Sequence, residues 1–273
     1  MADAATSTVL DAMSDYGRIA RLWVRASMAY PASFWMMAVG SFLMTGLDFV
    51  GIWVLLRNVD DLGGFGLAEI GFLYGATGLG IAFADLFVGR IERIGQMIRL
   101  GRLDTMMTKP VPLLVQVCAD EFAPRRFARV LQSSIVFVWA ATYVDWSPSR
   151  ALVSAEMVVS GSLIFFSLFV ALACVQFWTA DSSEVANAFT YGGNQVTQFP
   201  MTVFPEEVVK ALTFVLPIAF VNWYPALYVL GRDDPFGLPK ALQFASPVAA
   251  ALFLGVAALA WRTGVRHYRS TGS

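Results

Sequence analysis

Apolar runs long enough to span a bilayer constrain this chain more than any other feature. Residues 31–56, 66–91, 127–144, 151–179 and 241–261 are dominated by Leu, Ile, Val, Phe, Ala and Gly. About 20 such residues in a helix cross the hydrocarbon core. Every backbone N–H and C=O at that depth must pair inside the segment, so these runs are expected to be helices. Of 273 residues, 57% are hydrophobic and 14% charged, which excludes an ordinary soluble domain. The chain reads as an all-α polytopic membrane protein, one domain over 1–273.

Residues 181–230 are harder to divide. The stretch 182–204, SSEVANAFTYGGNQVTQFPMTVF, is moderately apolar and carries Asn187, Asn194, Gln195 and Gln198. The stretch 206–230 is more apolar but holds Pro217 and Pro225. Charge decides the count. Arg18, Arg21 and Arg25 precede the first run. Arg90, Arg93, Arg99, Arg102, Lys109, Arg125, Arg126 and Arg129 lie between the second and third. Arg262, Arg266 and Arg269 follow the last. These fourteen share one side only if the number of spans is even. The positive-inside rule makes that side cytoplasmic. Six spans follow, with both termini inside. Hydropathy alone prefers 206–230 as span 5. Its prolines favour two short helices that dip in and return, which is tolerated where protein covers the backbone.

The segment 15–30 is amphipathic: Ile19, Leu22, Trp23 and Ala26 share one face, and Arg18, Arg21 and Arg25 another. It is expected to be an interfacial helix at headgroup level. No basic n-region precedes it, so insertion is expected to rely on the spans. Cys118 and Cys174 are far apart and read as small apolar side chains. His267 lies in a basic tail. No metal site is expected, and nothing points to nucleic acid.

No Walker lysine, H-E-x-x-H, C-x-x-C or G-x-S-x-G occurs, so no catalytic residue is assigned. Asp48 and Asp85 lie at membrane depth, where carboxylates are costly and usually face a bundle interior or water. Each is either a substrate or proton contact or a helix–helix tie, Asp85 for instance with Arg90. Tyr191, Asn194, Gln195 and Gln198 fall on one helical face and suit a cavity or a subunit interface. Gly71 and Gly75 form a G-x-x-x-G, a close-packing seam within one subunit or between two.

Between spans 2 and 3 runs ERIGQMIRLGRLDTMMTKPVP, with PRRFAR after it. Ile94, Met97 and Ile98 can face bilayer or bundle; Gly101 loosens the helix, and Pro110 and Pro112 end it. The wider stretch IRLGRLDTMMTKPVPLLVQVCADEFAPRR resembles permease subunits of bacterial ABC type-2 exporters that work with a separate ATPase. FVLPIAFVNWYPALYVLGR (214–232) resembles their extracellular hairpin. The resemblance covers nearly the whole chain. It implies six spans, with span 5 at 182–204, a re-entrant hairpin at 206–230, and a cytoplasmic coupling helix within 92–112. The coupling residues it implies are Glu92, Arg93, Gln96, Arg99, Arg102, Asp104 and Lys109, with Gly101 and Pro110 shaping the ends. It implies two ATPase subunits that bind ATP and Mg, a second permease, identical or unlike, and the bacterial inner membrane. Asp48, Tyr191, Asn194, Gln195 and Gln198 are the substrate-pathway candidates, for an amphiphilic or hydrophobic substrate. The alternative is an ATP-independent channel or proton-coupled carrier using Asp48 and Asp85.

Overall fold

The computed structural model describes residues 9–88, 90–179 and 183–268. Arg269, Ser182 and the side chain of Asn187 lie outside them. Among the described residues every regular element is helical, apart from a lone antiparallel bridge between Leu62 and Phe65.

Four helices are long and apolar enough to cross a membrane: α2 (Pro31–Asn58), α3 (Leu67–Val88), α8 (Pro148–Cys174, prolonged by a 3-10 turn to Phe177) and α12 (Ser246–His267). Pro31 stands in the first turn of α2, where its missing N–H costs nothing. Before α2 lies α1 (Val9–Met28). It begins ahead of the expected residue 15, with Asp11 in its first turn facing the helix dipole. Two further helices have 15 residues each, α7 (Phe127–Ala141) and α9 (Ser183–Thr197), about 22 Å long at 1.5 Å per residue. Both are shorter than the runs read from the sequence. Pro200 closes α9 early, because a proline cannot continue the ladder.

Between α3 and α7 lie the short helices α4 (Ile94–Arg99), α5 (Arg102–Met107) and α6 (Leu113–Ala119). After α9 come α10 (Glu206–Phe214) and α11 (Trp223–Leu230), two arms bent by 79°. Pro217 makes the break. Pro225 sits in the first turn of α11 and starts the second arm rather than breaking it. A Schellman motif ends α11: Gly231, at φ +69, donates to Tyr228 O, and Arg232 N donates to Leu227 O at 2.8 Å. Trp223, Tyr224, Leu227 and Val229 are fully buried. Asn222 ties the elbow to its neighbours, its Nδ2 donating to Leu73 O at 3.2 Å and to Thr197 O at 2.6 Å. Arg232 forks onto Glu69, Nε to Oε1 at 2.7 Å and Nη2 to Oε2 at 2.8 Å. Glu69 also accepts from Gly66 N at 2.9 Å, half of a capping box opening α3.

The centre of the bundle is α3, buried along nearly its whole length between α7 and α8. Its glycines make that possible. A Cβ at Gly75 would stand 2.6 Å from Phe137 Cα, and one at Gly71 would stand 2.8 Å from the Trp139 ring. Gly80 meets the backbone of Gly161 on α8. The G-x-x-x-G seam therefore lies inside this chain. On the outside, α2 leaves most of its apolar residues exposed, and α12 exposes Val248, Leu252, Val256 and Leu259.

Gly75→Ala is expected to lower stability by about 1–3 kcal/mol through overpacking against backbone that cannot yield. Gly40→Ala, with nothing within 4 Å of the new methyl, is expected to leave it unchanged. Melting temperatures in detergent check both.

Candidate functional site

Two polar clusters stand out in so apolar a chain. One is the connection between α3 and α7. After α3 a 3-10 turn, Ile91–Arg93, leads into α4. Gly101 closes α4 and opens α5 at φ +66, which glycine adopts without strain. Ile94, Met97, Ile98, Leu103 and Met106 are buried, so this side of α4–α5 faces the bundle. Arg93, Gln96, Arg99, Lys109 and Pro110 are exposed, and with them Leu100 and Met107. Two large apolar side chains are thus exposed on the same connection as these polar groups.

The base of this knob is braced by residues the sequence did not single out. Gln176, at the end of α8, is buried; its Nε2 donates to Glu92 O at 2.8 Å and its Oε1 accepts from Gly95 N at 2.9 Å. Gln116 donates to Met106 O at 2.9 Å and Val111 O at 2.7 Å, bracing the loop that holds Lys109 and Pro110. Arg102 turns inward and reaches both carboxylate oxygens of Asp120, at 3.2 and 2.9 Å. Glu121, left-handed at φ +51, lies between Arg90 and Arg102. Asp104 accepts from the Tyr268 hydroxyl at 2.9 Å. Of the expected coupling set, Glu92, Arg102 and Asp104 are thus half-buried, and the last two bind the chain itself. Their one available signal was an amide or carboxylate inside an apolar run, as in LLVQVCAD.

Burial pushes the carboxyl of Glu92 above its usual range, with Asp85 adding and Arg126 opposing. Burial also raises Asp120, against the pull of Arg102. The Tyr268 phenol is pushed up to about 12 by burial and by Asp104. Burial takes the Cys118 thiol up to about 12, so it stays protonated and behaves as a small apolar side chain.

The second cluster is a polar cavity of about 120 Å³ between α2, α3, α7 and α9. Asp48, Tyr191, Asn194, Gln195 and Gln198 all line it, so the five pathway candidates converge on one space. Thr45, Tyr74, Gly78, Ile81, Ser133 and Arg129 complete the wall. Arg129 had entered the sequence reading only as a positive charge. Its place three residues into the third run was the signal. Asp85 is not in the wall. It is buried and pairs with Arg126 at 3.4 Å and Arg129 at 3.5 Å, while Arg90 goes to Glu121. The helix-tie reading of Asp85 holds, with different partners.

Residues 42–272 match the family described as ABC-2 family transporter protein. The chain belongs to that family. Neither a curated protein nor a solved structure matches it. As an ABC-2 transporter membrane protein it is a multi-pass permease, and membership implies an ATP-binding-cassette ATPase as partner. The match begins within α2, so α1 precedes the shared region.

Gln176→Leu in this ABC-2 permease leaves the Gly95 N–H and the Glu92 carbonyl without their partner. Each orphaned group is expected to cost about 1–3 kcal/mol. A lower melting temperature and faster amide exchange across 92–99 are the readouts.

Proposed function

We propose that this chain is the permease subunit of an ATP-driven exporter, docking an ATPase on the outer face of α4–α5. The observation that carries this reading is the knob itself. Its exposed face presents Arg93, Gln96, Arg99, Leu100, Met107 and Lys109, while Gln176 and Gln116 make its base rigid. A push on α4 passes directly to α3, through Gln176 to α8, and through Asp85 with Arg126 and Arg129 to α7. Those helices include two walls of the polar cavity, so closure of the ATPase changes the space where a substrate sits.

In this reading α2, α3, α7, α8, α9 and α12 are six spans. The two short ones are covered on their inner faces by α3 and α8. The 3-10 turn Pro124–Arg126 extends α7 at its basic end. By the positive-inside rule the basic clusters favour a cytoplasmic position for that end and for both termini, in a bacterial inner membrane. On the far side α10–α11 is a re-entrant hairpin held by Glu69–Arg232. Two ATPase subunits bind ATP and Mg, so this chain is not itself the enzyme. A second permease, identical or related, pairs with it; the exposed apolar face of α2 supplies surface for that contact. An amphiphile enters from the cytoplasm or the inner leaflet. A two-aspartate proton relay is disfavoured, because Asp85 is held between two arginines.

Arg93→Glu with Arg99→Glu reverses the charge of the docking face. Co-purification with the ATPase from the same genome is expected to fall at least ten-fold, with the melting temperature of the permease retained. Full ATPase binding and full transport by this double variant would overturn docking through α4–α5.

A further inference from the structure

The polar cavity has a chemistry narrower than amphiphile binding requires. Asp48 lies at its mouth, more than halfway along α2, and is exposed. Among the described residues it makes no ion pair and no hydrogen bond. A carboxylate at that depth is costly in lipid and needs water or a charged partner. Asn194 Oδ1 is buried in the same wall with no donor. Two acceptors therefore want N–H or O–H donors from whatever enters. Arg129 stands in the wall as well. Its ion pair is the 3.5 Å contact to Asp85, which leaves most of its five donors for an anion. Tyr74 and Tyr191 also line the cavity.

The cavity wall carries one charge of each sign, Asp48 on α2 and Arg129 on α7. An anion alone meets Asp48, and a cation alone meets Arg129. A headgroup carrying both signs satisfies both ends. The volume, about 120 Å³, admits a headgroup and no acyl tail. Met44, one turn from Asp48 on the same face of α2, is exposed and offers apolar surface for a tail.

We infer that this cavity is a headgroup site for an amphiphile bearing a protonated amine and an anionic group, the amine toward Asp48 and Asn194 and the anion toward Arg129. This deepens the exporter reading by naming its substrate class. It also accounts for the amides on α9: Gln195 and Gln198 offer both donors and acceptors to the linking atoms.

Three lysophospholipids with the same lauroyl chain test it on the purified permease–ATPase complex in maltoside. The phosphoethanolamine form carries N–H donors and phosphate. The phosphocholine form keeps the charge and loses the donors. The phosphatidic acid form lacks the amine. Thermal stabilisation is followed against concentration. Half-saturation for the phosphoethanolamine is expected at least ten-fold below the other two. Asp48→Asn is expected to erase that preference without lowering the ligand-free melting temperature, and Asn194→Leu to weaken it. Equal half-saturation for all three lipids, or an unchanged preference in both variants, would overturn the headgroup assignment. Absence of any ATPase in the complex would instead sink the exporter reading, and the lipid series on the permease alone still decides the headgroup question.

Discussion

Everything in this bundle depends on how closely one helix can be approached. α3 is surrounded, with α7 on one side, α8 on the other, and the α11 arm against its outer end. In hydrocarbon no hydrophobic force drives helices together, so contact must come from dense packing and from polar ties. Gly71, Gly75 and Gly78 let α7 come within backbone distance, and Gly80 meets Gly161 in the same way toward α8. Without that approach neither the polar cavity, which lies between α3, α7, α9 and α2, nor the knob at the end of α3 would have its geometry.

Polar side chains supply the second layer of order, and each is placed where a helix ends or bends. Gln176 closes the turn after α3. Gln116 closes the loop after α5, and Asn222 closes the elbow of the hairpin. All three donate to main-chain carbonyls at these breaks, Glu92 O, Met106 O and Thr197 O. The Asp85 carboxylate collects Arg126 and Arg129 and so joins the end of α3 to the start of α7. An apolar chain keeps such residues because unsatisfied backbone at membrane depth costs more than the side chains that repair it.

Much of this was legible in the sequence. The apolar runs marked α2, α3, α8 and α12 to within a few residues at most ends. Gly101 and Pro110 marked the boundaries of the knob, and the prolines marked the hairpin. The face shared by Tyr191, Asn194, Gln195 and Gln198 was legible because helical spacing alone brings those residues together. What was not legible concerns pairs distant in the chain. Arg102 looked like an outward coupling charge, yet Asp120 draws it inward. Arg90 looked like the partner of Asp85, yet Glu121 takes it. Asp48 and Arg129, 81 residues apart, share a cavity that no local pattern announces.

The sequence alone determined that this chain lives in a bilayer, is all helical, and carries a discrete basic knob between two of its helices. Those properties follow from period, length and composition, which are local. Only the tertiary structure decided which polar groups are spent on holding the fold and which remain turned toward a ligand or a partner. That division depends on which side chains come within hydrogen-bonding distance, and the close approach of α3 to its neighbours sets those distances.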